Sequence, residues 1–221
     1  REQVRENLIG LVPNMRGLSD AVGAGVKHIA VFLSASESFS QANIGMSIME
    51  SLENYRVVIE SAKNQKCIVR AYISCGWWCP YEGRISSSTV QKLIEQLDEL
   101  SCDQIVIADT IGTAKPNEIT ALLDEISDMK LSNNRIGLHF HDTAGHALKN
   151  VDAALSAGFR RFDAAIAGLG GCPFAPGAPG NLSTLSLVKH LNEKKISTNI
   201  DENKIQAVHN DYSNNLNNRQ G

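Results

Sequence analysis

The sequence predicts an α/β fold, a (β/α)8 TIM barrel with about six of its eight βα units present in the chain. Three observations carry that prediction. Short apolar runs alternate strictly with amphipathic stretches along the 221 residues, the pattern of parallel strands joined by crossover helices. The runs are nearly continuous in apolar residues, as strands covered on both faces are. Polar residues gather at the C-terminal ends of six runs, and a barrel collects such residues into one site at one rim. A doubly wound open sheet explains the alternation equally well, but it concentrates its ligands at a single switch point.

The elements follow in order. Residues 8–12 (LIGLV) form a short strand closed by Pro13-Asn14, and a small helix covers about 17–24. Residues 28–33 (HIAVFL) are the second strand. From about 45 to 64, Ile48, Leu52, Tyr55, Val58 and Ile59 recur at helical spacing. Residues 67–74 (CIVRAYIS) are a strand. Ser86, Ser87 and Ser88 offer N-caps to a helix over 86–100 that buries Val90, Leu93, Ile94 and Leu97. The strand 104–108 (QIVIA) ends at Asp109, and Pro116 opens a helix to about 129. A strand at 135–141 (RIGLHFH) leads to a helix over 145–157, which stops at Gly158. A last strand at 161–166 and a helix at 182–193 complete six units. Residues 1–200 are thus one partial barrel domain without its first two strands, and 201–221 is a polar tail, helical or frayed.

Composition bounds the function. The chain is 43% hydrophobic and 20% charged with a net charge of -3, which supplies no electrostatic footprint for nucleic acid. No apolar run approaches the ~18 residues of a membrane span, and no secretory segment is read near Arg1. The chain starts at Arg1, as a mature product or as a piece of something longer. The five cysteines are an odd count that fits a reducing compartment better than a disulfide framework. Cys75 and Cys79 are spaced C-x3-C without a second pair, too few ligands for structural zinc.

Two stretches concentrate chemistry. In "GLHFHDTAGH", residues 137–146, His139 and His141 are two apart on a strand, so both face one side. They are either half of a divalent metal site or two hydrogen-bonded histidines. The following Asp142 and the oxygen-rich rim favour a mixed N/O site of the kind that suits Mg2+ or Mn2+. In "GLGGCPFAPGAPGN", residues 168–181, five glycines and three prolines surround Cys172. Such a loop lets backbone approach a ligand and close over it, or it is a flexible surface loop. Asn181 offers either an amide oxygen to a metal or an N-cap. Asp109 orients a histidine or water, or caps the next turn. Arg70 and Tyr72 share a strand face, and a buried arginine needs an anionic partner, from protein or substrate. Asn14, Glu37 and Ser74 stand at strand ends on the same rim. Asn43 anchors the loop after Glu37. Trp77 and Trp78 line a pocket mouth or pack.

The stretches "VPNMRGLSDAVGAGVKHIAVFLSASESFSQANI", "CGWWCPYEGRIS", "IADTIGTAKP" and "HFHDTAGHALKNVDAALSAGFRRFDAAIAGLGGCPFAPGAPGN" resemble the hydroxymethylglutaryl-CoA lyase family, from about residue 8 to about 195. The Gly-Gly-Cys-Pro loop ending in Gly-Asn is the most specific of them. The resemblance implies a TIM-barrel enzyme that cleaves 3-hydroxy-3-methylglutaryl-CoA to acetyl-CoA and acetoacetate. It implies His139, His141 and Asn181 as ligands of Mg2+ or Mn2+. Cys172 is implied in proton transfer, with Asp109 and His139 beside it in the catalytic set. Asn14, Glu37, Arg70, Tyr72, Ser74, Gly170 and Gly171 are then substrate-binding. An acyl-CoA substrate and a homodimer follow, without nucleic acid or membrane. The compartment is the cytoplasm in a bacterium or the mitochondrial matrix in a eukaryote. The family's first-strand Arg-Asp pair and second-strand glutamate are not found from Arg1 onward, so the chain reads as N-terminally incomplete. Position 185, often acidic in relatives, is Leu185. Two other readings remain: a lyase for a longer 3-hydroxy-3-alkylglutaryl-CoA, tuned by Trp77, Trp78 and Phe174, or a catalytically silent fragment.

Overall fold

The structure is a computed structural model that describes residues 7–129, 131–171 and 180–217. Its elements are β1 (Ile9–Leu11), α1 (Met15–Gly23), β2 (His28–Ser34), α2 (Glu37–Ile44), α3 (Ile48–Asn64), β3 (Ile68–Ser74), β4 (Trp78–Cys79), β5 (Gly83–Arg84), α4 (Ser87–Glu99) and β6 (Gln104–Asp109). They continue with α5 (Pro116–Ser127), β7 (Ile136–Phe140), α6 (Ala147–Ser156), β8 (Phe162–Asp163), α7 (Thr184–Glu193) and α8 (Glu202–Asn217).

Six strands form one sheet in the order β1-β2-β3-β6-β7-β8, every pair parallel. The spatial order follows the chain order without reversal. A doubly wound sheet must reverse at its switch point, so this is the singly wound path of a barrel wall, with six of the eight units. Among the described residues, the two outer strands have no further strand beside them. At the β1 edge Leu8, Ile9 and Leu11 are all exposed, Leu11 at 65%.

Local signals place the helices. Ser47 and Glu50 form a reciprocal capping box on α3. Ser36 caps α2 through the Phe39 N–H, and Ser86 caps α4 through the Thr89 N–H. Pro116 opens α5 where a missing N–H costs nothing. Each helix lays an apolar stripe on the sheet: Tyr55, Val58 and Ile59 from α3, Val90, Ile94 and Leu97 from α4, Ile119 and Leu123 from α5, all buried. They meet Ile29, Val31, Leu33, Val69, Ile73, Ile105, Ile107, Ile136, Leu138 and Phe140 on the outward sheet face, also buried. Each such side chain contributes roughly 1.5–3 kcal/mol by leaving water.

The alternate residues point inward and stack in layers set by the register. Ala30, Arg70 and Gln104 are aligned across β2, β3 and β6; Phe32, Tyr72, Val106 and Gly137 form the next layer. Above them come Ser34 beside Ser74, and Ala108 beside His139 beside Asp163. Charge and hydroxyl groups thus collect at the C-terminal ends of the strands, inside the curve.

Three elements differ from the sequence reading. The helix expected from about 45 to 64 is α3, which starts at Ile48, and a separate helix, α2, stands at 37–44 where a loop is expected; it ends at Gly45, which adopts the left-handed conformation (φ 68°). A two-residue hairpin, β4 with β5, sits where only a loop is expected. The strand expected over 161–166 shortens to Phe162–Asp163, after which Ala165 bridges to Ser183. Residues 202–217 are helical and meet α7 through Lys189–Gln206 (2.8 Å) and Asn192–Glu202 (2.7 Å). Cys67, Cys75, Cys79 and Cys102 are free and buried. Among the described residues no helix is long and apolar enough to cross a membrane.

Candidate active site

A cavity of about 350 Å³ opens at the C-terminal ends of the strands. Leu11, Phe32 and Phe39 give it an apolar wall. Asn43, Tyr72, Ser74, Thr110, His139, His141 and Gly171 give it polar atoms. His139 and His141 stand on the same inward face, ring centroids 5.3 Å apart. The period of two along β7 dictates this, and Phe140 between them faces the helices, 1% exposed. His141 is buried, and burial, followed by the neighbouring His139, lowers its pKa from 6.5 to about 4. Its ring is therefore neutral at pH 7, the form that binds a metal.

Asn181 reaches this pair through long-range backbone pairing. His141 and Asn181 form an antiparallel bridge. The Asp142 N–H donates to Gly180 O (3.1 Å), and the Asn181 N–H to Gly170 O (3.1 Å). Gly168 and Gly170 have φ of 68° and 96°, and a Cβ on Gly180 would collide with the carbonyls of both. Glycine at these positions lets the two ends of the loop close on each other. The Asn181 amide nitrogen donates to Leu169 O (2.8 Å), which leaves Oδ1 buried without a partner. A buried acceptor with nothing to accept is costly, and its residue is paired through the backbone with His141. Two ring nitrogens and one unpartnered amide oxygen fit a divalent cation. Among the described residues no group of three His, Cys, Asp or Glu is placed to hold a metal, so the set needs a further oxygen ligand.

Below the histidines lies a carboxylate that the sequence reading passed over. Asp163 accepts from Arg70 Nη2 (2.6 Å) and the Tyr72 hydroxyl (2.9 Å), and its Oδ2 lies 3.3 Å from His139 Nδ1. Its pKa is lowered: burial alone would raise it, and the His139, Arg70 and Tyr72 contacts outweigh that. Burial raises the Tyr72 phenol pKa, reinforced by the Asp163 charge. An acid in the middle of an apolar strand is the one sequence signal for Asp163. Its partners are far away along the chain.

The remaining expected residues divide. Ser74, Gly171 and Asn43 line the cavity, as does Tyr72. Arg70 pairs with Asp163, a protein anion. Gly170 braces Asn181. Asn14 caps α1 by accepting the Gly17 N–H at 3.0 Å, and Glu37 accepts the Ile48 N–H at 3.1 Å; both serve the backbone at the rim. Asp142 likewise accepts the Ala147 N–H at the start of α6 (2.9 Å). Asp109 is 1% exposed and accepts the N–H groups of Ala114 (3.0 Å) and Thr113 (3.3 Å). Burial raises its pKa to about 6 against those bonds. Trp77 and Trp78 do not line the cavity: their indole N–H groups donate to the Glu118 carbonyl and carboxylate, both at 3.2 Å. Cys172 and Phe174 lie outside the described residues.

A family model described as HMGL-like matches residues 3–211. The chain belongs to the HMGL-like family. It is 43% identical over 198 residues to hydroxymethylglutaryl-CoA lyase of Pseudomonas mevalonii, covering 90% of this chain and 65% of the relative. It is 42% identical over 198 residues to the mitochondrial hydroxymethylglutaryl-CoA lyase of Arabidopsis thaliana, covering 90% of this chain and 42% of the relative. The chain therefore spans about two fifths to two thirds of the length of these curated relatives. Among solved structures, the HMG-CoA lyase of Brucella melitensis superposes with a TM-score of 0.90 at 41% identity, over 94% of this chain and 73% of that one. An Acinetobacter baumannii HMG-CoA lyase in complex with coenzyme A and 3-methylmalate gives a TM-score of 0.86 at 35% identity, over 94% and 70%. HMGL-like membership and the barrel path agree with the fold and family read from the sequence.

Proposed function

We propose that the chain carries the active site of a metal-dependent carbon–carbon lyase that cleaves 3-hydroxy-3-methylglutaryl-CoA to acetyl-CoA and acetoacetate. The observation that carries this reading is the pair of inward imidazoles, His139 and His141, on the wall of a largely apolar cavity, with Asn181, whose Oδ1 is unpartnered, bridged through its backbone to His141. These three groups hold a divalent cation, Mg2+ or Mn2+ by the mixed N/O donor set. When bound, that cation supplies acidity to the substrate's tertiary hydroxyl and fixes the orientation of its oxygens.

The chain's own residues do the rest. Ser74, Thr110 and Asn43 present hydroxyl and amide groups to the polar end of the acyl group, and the Tyr72 ring lines the same cavity. Leu11, Phe32 and Phe39 take its alkyl carbons and exclude water. Gly170 and Gly171 bring backbone close to the reacting carbons. In the cleavage the hydroxyl gives its proton to solvent and its oxygen becomes the ketone oxygen of acetoacetate, while the bond between C2 and C3 breaks and its electron pair passes to the acetyl-CoA enolate. The Cys172 thiol, next in the chain to Gly171, gives that carbon a proton. Asp109 holds the turn after β6 and so keeps the backbone under His141 in place. The apolar wall favours a second reading, a longer 3-alkyl substituent, which competition between the two acyl-CoA substrates separates.

Residues 1–200 belong to the barrel and 201–221 to a C-terminal segment. The exposed apolar edge at β1 and the free edge at β8 support two further βα units that close the barrel and add a carboxylate ligand. A homodimer, in the cytoplasm of a bacterium or the matrix of a mitochondrion, completes the proposal. The test is acetoacetate formation by the purified protein and by His141→Ala. Loss of a Lewis acid worth several kcal/mol predicts a fall of at least about 100-fold. Full activity in His141→Ala sinks the metal assignment.

A further inference from the structure

We propose that Asp163 is a positioning residue that fixes the tautomer and ring orientation of His139, so that His139 Nε2 faces the cavity with its lone pair free. The inference rests on the metal reading above, and it assigns a role to a carboxylate that neither the motifs nor the proposed chemistry uses.

The argument is one of donors and acceptors. Asp163 Oδ1 faces Arg70 Nη2 at 2.6 Å, and a guanidinium can only donate. Oδ2 accepts from the Tyr72 hydroxyl at 2.9 Å. The same Oδ2 lies 3.3 Å from His139 Nδ1. A carboxylate held by a guanidinium and a phenol has both oxygens engaged as acceptors and no proton to give. The hydrogen between Asp163 and His139 therefore sits on Nδ1. In a neutral imidazole the other nitrogen, Nε2, is then the bare one.

The fold builds this arrangement and little else at that place. β8 pairs with β7 at two positions only, Leu138 with Phe162 and His139 with Asp163. The second pairing puts the histidine and the acid side by side on the inner face. Arg70 lies beneath, stacked on the Tyr72 ring at 5.2 Å. Gly137 makes room for it, since a Cβ there would come within 3.1 Å of Val106 and 3.4 Å of Arg70 Nη2. The Tyr72 ring stands edge-on to the His139 ring, at 83° and 6.2 Å between centroids. The imidazole is thus held at Nδ1 by Asp163 and met by the Tyr72 ring. Arg70 and Tyr72, chosen from the sequence as substrate contacts, act here on His139 through Asp163.

The experiment records long-range proton–nitrogen NMR spectra of 15N-histidine protein in EDTA at pH 8, with His139 identified by its loss in His139→Gln. Mn2+ affinity is measured in parallel for the wild type and Asp163→Asn. The expected result is a protonated Nδ1 and a bare Nε2 in the wild type. In Asp163→Asn, whose amide can donate or accept, a mixed tautomer and Mn2+ binding about 10- to 100-fold weaker are expected. A wild-type His139 protonated on Nε2 overturns the proposal whether or not the variant folds. A variant with wild-type tautomer and affinity overturns it as well. Wild-type protein with the Nδ1–H tautomer but no Mn2+ binding supports the tautomer assignment and overturns the metal reading instead.

Discussion

Acid should separate two buried groups that titrate in opposite senses and whose backbones are hydrogen-bonded, the His141 N–H to Asp109 O at 3.4 Å. His141 has its pKa lowered from 6.5 to about 4, so between pH 7 and pH 5 the unfolded chain takes up a proton there and the folded chain does not. Linkage then makes the folded state less stable as pH falls, by about 2 kcal/mol over that interval. Asp109 has the reverse sign. Its pKa rises from 3.8 to about 6, so the folded chain is protonated first. The penalty of burying its charge is relieved on acidification, a gain of about 1 kcal/mol over the same interval. The two oppose, and the wild type should show a net change from this pair of about 1 kcal/mol or less. Substitution exposes each contribution. His141→Asn should lose about 2 kcal/mol less than the wild type between pH 7 and 5, and Asp109→Asn about 1 kcal/mol more. The assay is urea unfolding in EDTA at both pH values, which cancels every group common to the three proteins. Equal acid dependence in the wild type and His141→Asn would refute the reasoning.

Four further outcomes follow. Gly180→Ala drives a methyl into the Gly168 and Gly170 carbonyls and should cost about 1–3 kcal/mol in thermal unfolding, with Mn2+ binding weakened because Asn181 moves. Phe140→Ala, between the two histidines but facing the helices, should cost about 3–5 kcal/mol in urea unfolding, against little change for a mere surface residue. Trp77→Phe removes a hydrogen bond to the Glu118 carbonyl and should lower stability by about 1 kcal/mol, while acetoacetate formation by the purified protein stays at the wild-type rate. Adding Mn2+ at 100 times the wild-type dissociation constant should stabilise the wild type by about 2.7 kcal/mol, a shift of melting temperature that is smaller in His141→Ala at the same Mn2+ concentration.

Much of the fold is legible because its signals are local. The apolar runs at 28–33 and 104–108 need no distant information to read as buried strands, and Ser86, Pro116 and Ser47 announce their helices within one turn. The signals of α2, read as a loop, are also local: Ser36 is its N-cap and Gly45 its stop. The end of β8 was not readable, because it depends on Ala165 pairing with Ser183 rather than continuing along β7. The site shows the same division. The period of two places His139 and His141 on one face from sequence alone. That Asn181 joins them depends on pairing across the glycine loop, 40 residues along from His141 by number. Asp163 was hidden for a related reason: Arg70 and Tyr72 lie 93 and 91 residues before it. The tryptophans stay open in the sequence because aromatic residues near a strand end suit a pocket rim and a helix contact equally well. Only the position of Glu118 on α5 decides between them.

The central claim is that His139 and His141 are a metal site, and pulsed EPR of Mn2+ bound to the purified protein tests it most directly. The account predicts one bound ion per chain with nitrogen couplings from two imidazoles, one of them lost in His141→Ala. Mn2+ bound without nitrogen couplings, or bound unchanged in His141→Ala, would contradict it.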